Sequence, residues 1–571
     1  MNTTFYCIVL SFTMFFTACQ KEELMPGKPI VEKQETSSEM MVLGKKLENP
    51  YTVAVMKQAW ENIKPKLMAS GRVSGDEVEI STSHYYVKFK PKNERELDLL
   101  HADTTLYFYA YPLDVEIPEG SSNYRDPEVP EGQPTYQYVS VPHGYDFPNV
   151  DYEVLEELFI PEELPAKNGT NAMAKDLGLQ EELTDEAMEL TGNAEERIPL
   201  PVDPVDPGDG GGRGGGGSSG PVGCSYCPQG TMRVWDDRAN RYVPLVGLEV
   251  KARRWFTTKS AVTDATGKYI IRHDFDRDKN YSLDWDRYQF SVRSGTFGQA
   301  GVNGPKTSGW WSVNFGASGS SSVNNTQQYY ALIFQAAHDY YYGNRFGLSS
   351  PPRNGTWHPQ TKIAADISAR QNEKPSHAAM YARTGGLLPS IYIRTWGDPS
   401  DMVYATTIHE LAHAAHWDMD RDAFRSMVVG HGVLGNESKE ALIESWANGV
   451  EWQFAMERYR NLYKDAGYEY EDHIGNGNFQ EQMLARFTTR PNDLIYTSIV
   501  VDLIDNDNQR FTRGHGGSVA FPQDRASGYT ILQVEQGLRG SASWNMWRDN
   551  IRNRHVNGTE GSLNELFANW Y

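Results

Sequence analysis

A run of prolines followed by a run of glycines constrains how this 571-residue chain can fold. Residues 198–220 read IPLPVDPVDPGDGGGRGGGGSSG. Proline removes a backbone donor and glycine adds conformational entropy that folding must overcome, so this segment favours neither helix nor strand. We therefore predict a linker over 198–220, with folded parts on either side that move independently. A Gly-rich phosphate loop is excluded, because no strand precedes the glycines and no Gly-Lys-Ser/Thr ends them.

The composition is that of a globular protein with one acidic region. The chain is 39% hydrophobic and 12% aromatic, which is typical of packed domains, and its length allows three or four of them. The formal net charge is −21, and residues 101–200 hold 22 acidic against 4 basic side chains, a net of −18. We interpret this region as a solvated surface, since it carries no calcium-loop motif. The chain shows no basic region of the kind that nucleic acid binding requires, so we expect no nucleic acid partner.

The N-terminus predicts an exported lipoprotein. Residues 5–18, FYCIVLSFTMFFTA, form an apolar run that is too short for an ordinary transmembrane helix and fits a signal-peptide core. Small residues directly before Cys19 resemble a bacterial lipobox, which implies a signal peptide of residues 1–18 and a lipid on Cys19. The polar residues 19–48 then form a tether. Ordinary secretion without a lipid is the alternative.

Two further stretches resemble surface lipoproteins of Bacteroidetes-type bacteria. The sequence QKEE at 20–23 resembles their acidic export signal, which implies an outer-membrane lipoprotein that is exposed at the cell surface. The pattern HYYVKFKP…DTTLYFYAYPLD…FPNVDYEVLEELFIPEE resembles the N-terminal domain of some of these proteins. A helical pattern from about Pro50, followed by strand-like runs, predicts an acidic α+β accessory domain over 49–197. The runs are Thr82–Phe89, Thr105–Tyr111 and Tyr136–Val141.

Residues 221–305 predict a β-sandwich. Turn residues separate short alternating runs at Thr231–Trp235, Leu248–Ala252, Lys268–Ile271 and Gln289–Val292. The stretches VGLEV at 246–250 and TDATGKY at 263–269 resemble the carboxypeptidase regulatory-like domain. That resemblance implies a spacer module in which an Asp-x-x-Gly turn joins two core strands. We interpret the tryptophans of this region as core residues rather than sugar-stacking residues: Trp255, Trp285, Trp310 and Trp311.

A pair of cysteines, Cys224 and Cys227, lies just after the linker. A four-cysteine zinc site would need two more cysteines than the mature chain has, and a redox pair prefers the start of a helix in a thioredoxin-like unit. In an exported protein we therefore expect a local disulfide between Cys224 and Cys227.

Longer helical patterns fill residues 324–571 and predict a mainly helical α+β domain. Asn325 is placed to cap a helix over Thr326–Tyr342, and Ser438–Tyr463 is a long helical pattern. Possible strands occur at Lys362–Ile367 and Ser390–Thr395, the second as an edge or an interior strand. Shorter helices are predicted at 477–489, 491–505, 529–538, 541–554 and 563–570.

Two histidines four residues apart give this domain its chemistry. The stretch His409-Glu410-Leu411-Ala412-His413 is an HExxH motif, whose histidines share one helix face and can bind one Zn²⁺, with Glu410 then placed to act as general base. Asp398 is the predicted N-cap of this helix. His416 lies about 10 Å beyond His409 along the axis, so we expect it to pack or face substrate rather than share the ion.

A catalytic zinc needs a third protein ligand. His416 and Met419 stand where an HExxHxxGxxH motif has its glycine and third histidine, so that arrangement is excluded. Acidic candidates follow on the long helix: Glu437, Glu440, Glu444 and Glu451. Glu444 is favoured because it lies among large apolar neighbours, where a carboxylate needs a partner, and Glu440 is the main rival. An oxyanion donor is also expected, from among His431, Tyr496, His515 and Tyr529.

The stretch Glu444-Ser445-Trp446-Ala447 resembles the third-ligand segment of gluzincins, a group of HExxH zinc metallopeptidases. The resemblance implies a zincin-like domain that holds Zn²⁺ through His409, His413 and Glu444. The gap after His413 is longer than is usual in that group, so the subfamily stays open. The implied activity is a surface-anchored endopeptidase that cleaves extracellular proteins or glycoproteins and contacts the membrane through its lipid. The alternative is a non-catalytic surface lipoprotein that binds glycan or protein on a zincin-like scaffold, which has no need of Glu410.

Overall fold

A computed structural model describes the chain from residue 40 to residue 570 with gaps. The described residues are 40–73, 78–130, 132–164, 173, 176–195, 227–294, 298–355, 359–367, 391–428, 437–465, 497–508, 510–511, 516–519 and 522–570. The predicted signal peptide, Cys19, most of the tether, the linker at 198–220, Cys224 and the predicted helix at 477–489 lie outside them. Within them the fold is mixed α/β, with eleven α-helices, and agrees with the predicted multidomain α+β class. The domain boundaries stay predictions.

The N-terminal region packs helices against a small antiparallel sheet. Its elements are α1 (Val53–Ala69), β1 (His84–Phe89), α2 (Glu94–His101), β2 (Gly120–Ser121), β3 (Gln137–Pro142), β4 (Tyr152–Leu158) and α3 (Leu177–Leu190). The sheet has the order β3-β1-β4. α1 begins at a Thr52 cap, whose side chain accepts from the Val55 amide, and buries Met56, Trp60 and Leu67.

The predicted strand Thr105–Tyr111 is wrong. That stretch forms a single bridge, between Tyr109 and Tyr138, and no regular strand. Its alternating tyrosines are the strand signal, but the hydroxyls of Tyr107, Tyr109 and Tyr111 form hydrogen bonds to side chains of the middle region. The alternating tyrosines therefore contact the middle region and do not form a strand of the sheet.

The middle region forms two sheets. Its strands are β5 (Gln229–Asp236), β6 (Arg241–Pro244), β7 (Glu249–Arg254), β8 (Thr257–Val262), β9 (Lys268–Ile270), β10 (Lys279–Asp284), β11 (Asp286–Arg287), β12 (Phe290–Arg293), β13 (Gly301–Thr307) and β14 (Val313–Phe315). One sheet has the order β2-β13-β10-β7-β8, and the other β14-β5-β6 with β9 paired to β5. The Asp-x-x-Gly turn joins β8 to β9: Asp264 accepts from the Thr266 and Lys268 amides, and Gly267 adopts φ +76°.

The C-terminal region adds helices and extends a third sheet. Its elements are α4 (Thr326–Tyr342), β15 (Thr361–Ala365), β16 (Ile391–Ile393), α5 (Ser400–Met419), α6 (Arg421–Val428), α7 (Glu437–Asp465), α8 (Ile499–Ile504), α9 (Ile531–Leu538), α10 (Trp544–Arg554) and α11 (Leu563–Trp570). Asn325 caps α4 as predicted. The third sheet has the order β11-β12-β15-β16, with β12, β15 and β16 parallel. One continuous hydrophobic core includes the middle sheets and the C-terminal helices.

The expected independent movement of the N-terminal region is contradicted by its contacts. Trp255 and Phe256, from the turn between β7 and β8, lie in the hydrophobic core of the N-terminal region. Lys362 on β15 forms buried ion pairs with Glu94 (2.6 Å) and Asp98 (2.7 Å) of α2. β2 is also an edge strand of the middle five-stranded sheet. Two parts that share a core and buried ion pairs do not move separately, because opening them would expose apolar surface and unpaired charge.

Candidate metal centre

The motif helix α5 begins at Ser400, directly after Pro399. The Ser400 amide donates to the carboxylate of Asp237 (3.0 Å), which lies in the turn after β5. The predicted Asp398 cap is therefore wrong, because Asp398 lies one residue further from the helix and a side chain from another element takes its place. This contact ties the start of the motif helix to the middle region.

The same helix is buried along almost its whole length, which places both histidines of the motif inside the protein. His409 and His413 are each 7% exposed. Their Nε2 atoms are 3.1 Å apart, and the two rings are nearly perpendicular. The helix thus directs one nitrogen of each ring toward a common point.

The third predicted ligand, Glu444 on α7, lies against both histidines. Its Oε2 atom is 3.1 Å from Nε2 of His409 and 3.4 Å from Nε2 of His413. One ligand atom from each of the three residues falls within 4.8 Å of the others. The side chains of the rivals Glu437 and Glu440 lie outside the described ones. The structure thus brings together the three residues that the sequence favoured.

The size of this triangle fits a small tetrahedral cation. Zinc binds histidine nitrogen and carboxylate oxygen at about 2.0–2.2 Å, so two ligands of a tetrahedral ion lie roughly 3.3–3.5 Å apart. The three separations here, 3.1, 3.1 and 3.4 Å, are close to that range. Two nitrogens and one oxygen are also a donor set that zinc accepts, and three protein ligands leave a position open.

Glu451, which the sequence offered only as a rival ligand, orients His409 instead. Its Oε2 atom is 3.0 Å from Nδ1 of His409. A carboxylate only accepts, so Nδ1 donates to Glu451, and a metal ion would replace the proton on Nε2, the nitrogen that faces Glu444 and His413. A carboxylate behind a histidine ligand is a common feature of metal sites. A signal for this role is present in the sequence, because Glu444 and Glu451 are seven residues apart and share a helix face.

The charges around the histidines favour a cation at this point. Burial acts to lower the pKa of His409, but the Glu444 and Glu451 carboxylates outweigh it and hold that pKa well above its ordinary value. Burial acts to raise the pKa of Glu444, yet His413 and His409 hold it below its usual range. Both effects have one cause, since a buried carboxylate and a buried imidazole each take the charged form when an opposite charge lies beside them.

Two further side chains of α5 take different places. Glu410 is 3% exposed and lies between His409 and His413 in the sequence of the helix. His416 is 1% exposed and packs edge-on against Phe424, with ring centroids 5.0 Å apart. Burial lowers the pKa of His416 to about 3, so its ring is neutral. His416 is absent from the group of converging ligand atoms among the described residues, as expected from its spacing.

The remaining predicted residues have mixed outcomes. β16 is the last strand of its sheet within the described part of the chain, which fits the edge position proposed for Ser390–Thr395. Of the oxyanion candidates, His431, Tyr496 and His515 lie outside the described residues, and Tyr529, two residues before α9, is buried beside Thr559. Cys227 is disulfide-bonded. Trp255, Trp285 and Trp311 are buried as predicted, whereas Trp310 is 70% exposed.

Comparison of the chain with protein-family models, with curated proteins and with solved structures gives no match in any of the three. Any assignment of function therefore depends on the residues and their geometry.

Proposed function

We propose that this protein is a zinc-dependent endopeptidase of the zincin type. The observation that carries the proposal is the convergence of His409, His413 and Glu444, with ligand atoms 3.1–3.4 Å apart, between a buried HExxH helix and the long helix α7. Hydrolysis also needs an oriented histidine ligand and a general base. Glu451 supplies the first through its hydrogen bond to His409, and Glu410, between the two histidines, supplies the second.

The proposed zinc ligands and two glutamates have separate roles in peptide hydrolysis. A zinc ion, when bound by the three ligands, lowers the pKa of a water to about 7 and polarises a carbonyl. Glu410 then accepts the proton of the attacking water and passes it to the leaving amine. Glu451 keeps His409 in the tautomer whose Nε2 faces the ion.

The edge of the third sheet suits an extended peptide substrate. β16 ends seven residues before α5 begins and is the outermost strand among the described residues. A sheet edge offers main-chain donors and acceptors to an extended peptide without regard to its sequence. We therefore propose that β16 pairs with the substrate, which suits an endopeptidase for extracellular proteins or glycoproteins.

The proposed location follows from the N-terminal sequence. A lipid on Cys19 would hold the protein at the outer membrane, exposed on the cell surface. In the described residues no helix combines the length and the apolar character needed to cross a membrane.

Zinc content and proteolysis, measured on matched variants, test the proposal. The wild-type protein should contain one zinc per chain and cleave casein or mucin, and a chelator should stop cleavage until zinc is restored. Glu410→Gln should keep the zinc and lose cleavage, because it removes the base and leaves the ligands. Glu444→Gln should lose both. Glu457→Gln, on the same helix and bonded to Asn461, should lose neither.

Three results would contradict the proposal. A wild-type protein that binds no zinc has no metal centre, and cleavage that persists in Glu410→Gln has another origin. Zinc binding without cleavage of any protein substrate would favour the non-catalytic binding protein.

A further inference from the structure

Three charged residues on α7 repeat at intervals of seven. Glu444, Glu451 and Arg458 are each separated by close to two helical turns, so they form one stripe that drifts by only about 20° per step. The stripe faces α5. Glu444 and Glu451 meet the histidines, and Arg458 lies about 21 Å from Glu444 along the axis.

The partners of this stripe on α5 occur in the reverse order. Glu444 contacts His413, Glu451 contacts His409, and the Arg458 guanidinium lies 4.6 Å from the ring centre of Tyr404. The two helices are thus antiparallel, and each contact of the stripe depends on the same alignment. A single axial shift of α7 would displace all of them together.

Arg458 connects α7 to two other elements of the fold. Its guanidinium is 3.3 Å from Asp236, the last residue of β5, and 3.7 Å from Asp339 on α4. Further hydrogen bonds fix both carboxylates. Asp236 accepts from the Ala239 amide and the Tyr459 hydroxyl. Asp339 accepts from the Tyr404 hydroxyl. A planar guanidinium suits this position, since it can engage two carboxylates while it stacks on a ring.

The apolar contacts between α5 and α7 do not fix the alignment as strictly. Near Arg458 they involve the small or flexible side chains of Ala405, Ala455 and Met456 together with the ring of Tyr459. Hydrophobic contact is non-directional, whereas a guanidinium between two fixed carboxylates is directional. A shift by one residue moves Glu444 by about 1.5 Å along the axis, and metal–ligand distances tolerate only about 0.2 Å.

We propose that Arg458 is a positioning residue of the metal centre. By binding Asp236 of the middle sheet and Asp339 of α4, it fixes the alignment of α7 that brings Glu444 and Glu451 to the two histidines. The inference rests on the proposed zinc site and adds that the β-sandwich takes part in building it, rather than serving as a spacer.

The test compares Arg458→Met with Arg293→Met in the full chain. The Arg293 side chain is 2% exposed, against 11% for Arg458, and it pairs with Glu94 of the N-terminal region, a contact that involves neither α5 nor α7. Zinc affinity is measured by competition with a chelator, and the visible spectrum of the Co²⁺-substituted protein reports the ligand geometry. We expect Arg458→Met to weaken zinc binding about tenfold and to change the cobalt spectrum, as for other residues that support metal ligands. Arg293→Met should lower the melting temperature and leave both readouts as in the wild type.

The outcomes separate this inference from the proposed function. If wild-type protein binds zinc and Arg458→Met keeps its affinity and cobalt spectrum, the positioning role is refuted and the zinc site stands. If wild-type protein binds no zinc, the positioning role and the proposed function are both refuted. Should Arg458→Met fail to fold, Arg458→Lys replaces it, because lysine keeps the charge but not the planar fork. Normal affinity and an unchanged spectrum in Arg458→Lys would then also refute the role.

Discussion

Removing the Glu451 carboxylate should weaken metal binding without removing a ligand. Its Oε2 atom is 3.0 Å from Nδ1 of His409, and both side chains are largely buried. A hydrogen bond to a charged group contributes about 1.5–3 kcal/mol. At about 1.4 kcal/mol for each factor of ten, Glu451→Ala should raise the Kd for zinc by roughly 10–100-fold. Glu451→Gln keeps an acceptor but not the charge, so it should cause a smaller rise.

The measurement is a competition titration against a fluorescent zinc chelator at one fixed pH, because protons compete for the same ligands. Glu457→Ala is the matched control, since it removes a glutamate from the same helix at a position that bonds to Asn461. Urea unfolding of each variant identifies any loss that comes from unfolding alone. An unchanged Kd in Glu451→Ala, or an equal loss in Glu457→Ala, would refute the orienting role.

Three further predictions concern the surroundings of the site and the core. Burial raises the pKa of Asp401 to about 6, although the nearby Arg238 acts to lower it. The folded state therefore holds this proton more tightly than the unfolded state, and the contribution of Asp401 to stability falls as the pH rises from about 4 to 6. Urea titrations give the free energy of unfolding of Asp401→Asn and of the wild type. The value for Asp401→Asn minus that for the wild type should increase by roughly 2–3 kcal/mol between pH 4 and pH 7. A difference that stays constant with pH would contradict this. Trp255→Ala should lower the free energy of unfolding by about 3–5 kcal/mol, while Trp310→Ala, at an exposed site of the same region, should change it by less than about 0.5 kcal/mol. His416→Leu should retain one zinc per chain by elemental analysis and His413→Leu should not; loss of zinc in His416→Leu would mean that His416 is a ligand.

The sequence alone predicts much of the local structure. The bounds of α4, the cap at Asn325 and the long helix α7 follow from apolar spacing and capping residues, because those signals act within a few residues. The same locality explains why Glu444 is favoured over its neighbours, since an apolar helix face is visible in the sequence.

The features that the sequence does not predict depend on contacts between distant segments of the chain. The Asp398 cap of α5 is wrong because the residue that takes its place, Asp237, belongs to a turn 163 residues before Ser400. The tyrosines of 105–111 alternate as in a strand, but their hydroxyls form hydrogen bonds to the middle region. The Pro/Gly segment predicts independent movement of the parts on either side of it, yet these parts share a hydrophobic core. The role of Glu451 depends on which residue of α5 lies opposite it, which spacing on one helix does not specify.

The sequence by itself determined which side chains form the proposed zinc site and which helices carry them. Only the tertiary structure decided their alignment, because that alignment is fixed by pairings across the fold, such as Arg458 with Asp236.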